Sequence, residues 1–391
     1  MNVDSASARL SSIDTLRGLV MVLMTLDHTR DFFSNAHFKP TDLEKTYVAL
    51  FITRWVTHFC APVFVFLAGV SACLWWSKRG PNAPISRFLL QRGLILILLT
   101  CSVEAWAWNF RNDFQQLDGG VLWAIGWSMI VLAGLVKLPV GWVLGAGILM
   151  IFGHNAFDAV KAADLGMFGH LWAVLHTGED VVLGGGWSIN PYYPLIPWIG
   201  VMAAGFAFGH GLTLPHWRSR RKLFVLGSVL ILLFILLRYI NGYGDPKPWS
   251  SQAMPIFSLL SFINCQKYPP SLLYLLMTLG PMFIIWGWLE SRPGLQLRAL
   301  QVFGRTPLFF YLLHLYLIHG LALVLAIIDD GPVSALVSGG IWSPGLPQEY
   351  GYGLPLVYFF TALVLVVLYP LCCRFEAFKA RKRHWHWLNY L

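Results

Sequence analysis

The sequence predicts an all-α polytopic membrane protein, with about ten transmembrane helices in one bundle and residues 1–391 forming a single domain. Two observations carry this expectation. The composition is 57% hydrophobic and only 12% charged, with a mean hydropathy of +0.60. The apolar residues also fall in blocks close to the length of a bilayer crossing, where a soluble core would show short amphipathic periods.

The expected spans are 14–33, 54–76, 87–107, 119–136, 139–154, 193–212, 222–240, 271–289, 302–327 and 354–373. The first is the most charged. The fifth is short for a full crossing. The sixth opens on "NPYYPLIPWIG", where Pro191, Pro194 and Pro197 alternate with Tyr192, Tyr193 and Trp198; this reads as an interfacial aromatic belt or as a platform for a sugar ring.

Orientation follows from the loops. With the N-terminus in the cytoplasm, four inside segments are basic: "SKRGPNAPISRFLLQR", "PHWRSRRK", "ESRPGLQLR" and the tail "RFEAFKARKRHWH", within residues 374–391. About 19 Lys and Arg then lie inside and about 9 outside, the bias that orients inner-membrane proteins with both termini cytoplasmic. The net charge of +9 is thereby explained by topology and anionic lipid, and nucleic acid is not expected as a partner. Six cysteines show no metal or redox spacing, and no cleavable signal is expected before the first span.

The stretch "SIDTLRGLVMVLMTLDHTRDFF" places Asp14, Arg17, Asp27, His28, Arg30 and Asp31 in or beside that first span. A charge at mid-bilayer costs roughly 2.5–3.5 kcal/mol, so these side chains should face protein or water. Arg17 and His28 are eleven positions apart, hence within about 20° on the helix and roughly 16 Å along it. Asp14, Met21, Met24 and Asp31 fall within about 60° of Arg17. Asp14 and Arg17, at i and i+3, also fit a structural ion pair at the inner interface. A second polar element is "RTPLFFYLLHLYLIHG" in the ninth span. Tyr311 and His314 share a face there, and His314 lies at a depth close to that of His28, so the two imidazoles could meet.

The block from "SIDTLRGL" through "LDHTRDFF" to "HFCAPVFVFLAGVSA" resembles the bacterial relatives of heparan-alpha-glucosaminide N-acetyltransferase, most strongly over residues 11–80. "YPLIPWIGVMAAGFAFG" and "FGRTPLFFYLLHLYLIHG" support it. The wider membrane acyltransferase group is similar in pairing an Arg and a His across its first span, here Arg17 and His28. The resemblance implies acyl transfer from cytoplasmic acyl-CoA, acetyl-CoA above all, to an amino or hydroxyl group of an extracytoplasmic sugar or glycan. It also implies a catalytic imidazole, with His28 ranked first and His37 second. Asp27 stands where the animal enzyme has Asn, and Phe38 where it has His.

The expected site is therefore His28 or His37 as base, oriented by Asp27 or Asp31. Arg17 and Arg305 are assigned to the CoA side, and Asp14, Tyr311 and His314 support the site. Arg87, Arg92 and Arg298 are further basic candidates by position. Trp106, Trp108 and Trp187 are aromatic candidates for the acceptor. His154, His170, His176, Glu179 and Asp180 in the outer loop have no metal spacing, and no metal is expected. The competing class is a permease that uses intramembrane Asp, Arg and His. Oligomeric state has no sequence signature here.

Overall fold

A computed structural model describes residues 11–111, 114–214, 219–292, 295, 297–382 and 384–385. Parts of the basic segments predicted inside, residues 215–218, 293–294, 296, 383 and 386–391, lie outside the described residues. The helices in chain order are α1 (Ser11–Phe33), α2 (Val48–Val56), α3 (Cys60–Arg79), α4 (Ile85–Leu99), α5 (Ala105–Asn109), α6 (Val121–Leu135), α7 (Val140–Gly153) and α8 (Gly169–Trp172). They continue with α9 (Leu195–Thr213), α10 (Arg220–Ile240), α11 (Pro255–Ile263), α12 (Leu272–Glu290), α13 (Arg298–Arg305), α14 (Pro307–Ile328), α15 (Val333–Gly339) and α16 (Leu354–Arg381).

Among the described residues, eight helices are long and apolar enough to cross a membrane, counting α2–α3 and α4–α5 as continuous. They coincide with eight of the ten expected spans. The other two are α1, which has the length but too many charges, and α6, which is apolar but only 15 residues long. The burial of α1 explains how it carries its charges: Asp14, Asp27 and Arg30 are all buried, and α1 packs on α3, α12, α13, α14 and α16.

The all-α expectation needs one amendment. Three short strands, β1 (Gln116–Asp118), β2 (Val181–Gly184) and β3 (Trp187–Asn190), form a sheet in the order β1-β3-β2. β3 runs parallel to β1 and antiparallel to β2. Gly184, Gly185 and Gly186, all at positive φ, turn β2 into β3. These segments connect helices, and strand pairing satisfies backbone groups that no helix takes up.

Helices meet closely where glycine faces glycine, Gly69 with Gly205 (α3/α9), Gly93 with Gly126 (α4/α6), Gly147 with Gly200 (α7/α9) and Gly227 with Gly280 (α10/α12), and where Gly18 of α1 faces the Leu300 backbone and Gly304 of α13 faces the Asp14 backbone. Removing side chains lets backbones approach, the usual route to tight association when lipid offers no hydrophobic gradient between helices.

Polar ties sort the helix ends into two groups. Ser12 donates to Glu290, and Arg305 bridges Asp14 (3.2 Å) and Glu376 (3.0 Å). The start of α1, the ends of α12 and α13, and the last turns of α16 therefore share one end of the bundle. Ser34 bridges to Tyr352, the Leu272 amide donates to Asn155 at 2.8 Å, and Tyr243 donates to the Phe152 carbonyl. These join the end of α1, the start of α16, the ends of α7 and α10, and the start of α12 at the other.

Candidate functional site

At the first end, Arg17 is anchored three ways. It donates to the Gly304 carbonyl (2.9 Å) and to Ser71 Oγ (2.8 Å), and lies 3.5 Å from Asp14. The close crossing of α1 and α13 makes the first contact possible: a Cβ at Gly18 would fall 1.8 Å from the Leu300 carbonyl oxygen, and one at Gly304 1.9 Å from that of Asp14. The expected Asp14–Arg17 pair is present, and Arg305 joins it through Asp14.

One helical length away, Asp27 is the centre of an ion cluster. Its carboxylate accepts from Arg54 at 2.5 and 2.7 Å and from Thr57 Oγ1 at 2.7 Å. Arg30 stands 2.7 Å and Lys267 3.8 Å away, and Arg30 also reaches Asp31 at 2.5 Å. The hydrogen-bond and ion-pair partners of Asp27 and Asp31 here are Arg30, Arg54, Thr57 and Lys267. Both carboxylates are engaged by cations, which offer a charged partner where a neutral imidazole offers only a dipole.

His28 turns instead to His314. Its Nδ1 lies 2.8 Å from His314 Nε2, with ring centroids 4.9 Å apart and planes at 20°. His314 is fully buried on α14, and its Nδ1 faces the carbonyls of Tyr311 and Phe310, the latter at 3.2 Å. A carbonyl can only accept, so His314 Nδ1 carries the proton and its Nε2 is the acceptor in the neutral ring. His28 Nδ1 is then the donor, and the lone pair of His28 is left on Nε2. The edge of Trp108 covers the His28 ring at 4.8 Å, and the ring itself is half-buried.

Tyr311 adds an element the sequence reading missed. Its hydroxyl donates to Glu104 Oε1, and both residues are buried. Glu104 closes a π-helical turn, Thr100–Glu104, between α4 and α5, and its Oε2 is buried without a hydrogen-bond partner among the described residues. Such turns concentrate at functional sites. The signal was available in "LLTCSVEAW", an acid inside an apolar span. Arg54 and Lys267 were missed for a different reason: each stands in a segment with no motif.

His37 is not brought to this place. It sits exposed on the loop after α1, with Nε2 2.8 Å from the Tyr350 carbonyl. His319 is pinned between the Ala107 (2.8 Å) and Leu336 (3.1 Å) carbonyls and stacks on Phe110. Trp106 and Trp187 are partly exposed, whereas Tyr193 reaches Tyr268, hydroxyl to hydroxyl at 3.5 Å. His176 pairs with Asp158 at 3.3 Å. Among the described residues no group of three or more His, Cys, Asp or Glu could hold a metal ion.

An imidazole pair with one member buried, the other half-buried and one lone pair left uncommitted is suited to removing a proton from an incoming nucleophile. Comparison with known families gives that geometry a context. The family model described as "Heparan-alpha-glucosaminide N-acetyltransferase, catalytic" matches residues 9–236, more than half of the chain. A search of curated proteins returned no matching relative. The matched segment holds His28, Asp27, Arg54 and Glu104, while His314, Tyr311 and Lys267 lie beyond it.

Proposed function

The chain belongs to the heparan-alpha-glucosaminide N-acetyltransferase catalytic family, and on that premise we propose a membrane-embedded transfer of an acyl group, acetyl in the first instance. The donor is cytoplasmic acyl-CoA. The acceptor is an amino or hydroxyl group of a sugar or glycan on the far side of the inner membrane. The whole chain acts as one domain of ten spans, with both termini cytoplasmic; the basic loops and the grouping of helix ends support that orientation.

The observation that carries the reading is the His28–His314 pair. His28 Nε2 takes the proton of the acceptor N–H or O–H as the nucleophile attacks the thioester carbonyl. The C–S bond breaks, and the departing CoA sulfur takes that proton back from the imidazolium. His314 keeps His28 in the required tautomer, the part a carboxylate plays in hydrolase triads. Acylation of His28 Nε2 itself, followed by attack of the acceptor, balances equally and uses the same lone pair. Arg17 and Arg305 form the cationic mouth through which the donor's phosphates and pantetheine arm approach, roughly 16 Å below His28 along α1. Asp14 holds both guanidiniums in place.

The test is transfer of labelled acetyl from acetyl-CoA to glucosamine by the purified protein, with acetyl-CoA binding measured in parallel. His28→Ala should abolish transfer and leave donor binding intact. Unimpaired transfer in that variant would refute the assignment.

A further inference from the structure

The ion cluster around Asp27 holds more positive charge than it cancels. Arg30, Arg54 and Lys267 face Asp27, and Asp31 adds one carboxylate through Arg30, so three cations meet two acids among the described residues. A surplus cation inside an apolar bundle is costly unless an anion meets it. Arg54 is already engaged at hydrogen-bond distance. Lys267 is not: its ammonium stays 3.8 Å from the nearest Asp27 oxygen and 5.0 Å from the centre of the Tyr268 ring.

Three further observations point to a ligand at this spot. His58, on the turn beside α2, is 3% exposed, lies in the field of Arg54 and Lys267, and has no hydrogen-bond partner for Nδ1 among the described residues. Tyr268 remains 41% exposed although Tyr193 and Lys267 pack against it, so one edge of the otherwise buried cluster lies at the surface. Burial pushes the Tyr268 phenol up, but Lys267 and Arg54 act against it and leave the group below its usual value.

We propose that Lys267 and Arg54, with Tyr268 and His58 beside them, bind a single anionic group, carboxylate or phosphate, carried by the acceptor. Asp27 and His28 are adjacent on α1, so an anion held here sets the acceptor's nucleophile next to the base. Naming the acceptor as the carrier rests on the acyl-transfer reading, whereas the anion site itself does not.

The experiment measures the thermal midpoint of the purified full chain at constant ionic strength. Methyl glucuronide, inorganic phosphate and neutral methyl glucoside are titrated separately, and acetyl-CoA in parallel. The expected result is a saturable rise with glucuronide or phosphate and none with glucoside. The stronger of the two anions identifies the group. In Lys267→Met the apparent Kd for that anion should rise at least tenfold, and Lys267→Arg should restore it. No anion-specific rise in the wild type, or an unchanged Kd in Lys267→Met, overturns the proposal. If Lys267→Met does not fold, the wild-type titration decides alone. Loss of the acetyl-CoA response with the anion response intact would refute the acyl-transfer reading and leave the anion site standing; the reverse pattern would do the opposite.

Discussion

The proposed chemistry comes down to which nitrogen of one imidazole is bare. His28 Nε2 is available because His314 occupies Nδ1, and His314 does so because its own Nδ1 is committed to backbone carbonyls of its preceding turn. Removing the base should cost more than removing its holder. We expect His28→Ala to lower kcat by at least about 10²-fold, the usual range for general base catalysis. His314→Ala should lower kcat by about 10-fold or more with little change in KM for acetyl-CoA, and should alter the pH profile, because the wrong tautomer then becomes populated. His37→Ala should stay near wild type, since that ring only meets the Tyr350 carbonyl on an exposed loop. Steady-state kinetics on the three variants checks this ordering; a His37→Ala protein as inactive as His28→Ala would break it.

At the scale of the element, two devices hold the helices that present these residues. One is the glycine crossing. A Cβ at Gly304 would stand 1.9 Å from the Asp14 carbonyl oxygen, so Gly304→Ala must push α13 off α1 and with it the Gly304 carbonyl that receives Arg17. Overpacking of this kind typically costs about 1–3 kcal/mol, and a lowered melting temperature with weakened acetyl-CoA binding is the expected pair of effects. The other is Arg238, fully buried at the end of α10, which donates to the carbonyls of Phe262, Lys247, Ser261 and Asn264 at 2.8–3.1 Å. It ties down the connection that leads to Lys267. Arg238→Ala orphans several carbonyls at once, at about 1–3 kcal/mol for each that stays buried, and should lower the melting temperature more than any single surface substitution.

For the whole molecule, the polar ties predict which ends label together. Single cysteines at Asn82→Cys and Asp164→Cys, in a background with the six native cysteines replaced, should react with a membrane-impermeant reagent from opposite sides. Reaction from the same side would remove the topology on which the donor and acceptor assignments depend. The shape of the bundle also accounts for the misfit of α1 with any hydropathy threshold. It packs against α2, α3, α12, α13, α14 and α16, so its charges meet protein where an outer helix would meet lipid.

Amino-acid order alone determined the apolar spans, the sign bias of the loops, and the phase that puts Arg17 and His28 on one face, because each depends only on composition or on helical repeat. The matched depths of His28 and His314 were legible for the same reason. Which partner each side chain takes was decided by tertiary structure. Asp27 meets Arg54 and Lys267 across 27 and 240 positions, and Glu104 meets Tyr311 across 207. No local period encodes such pairings. They exist because helices distant in sequence cross where glycines let them close, and a buried charge then takes the strongest partner within reach.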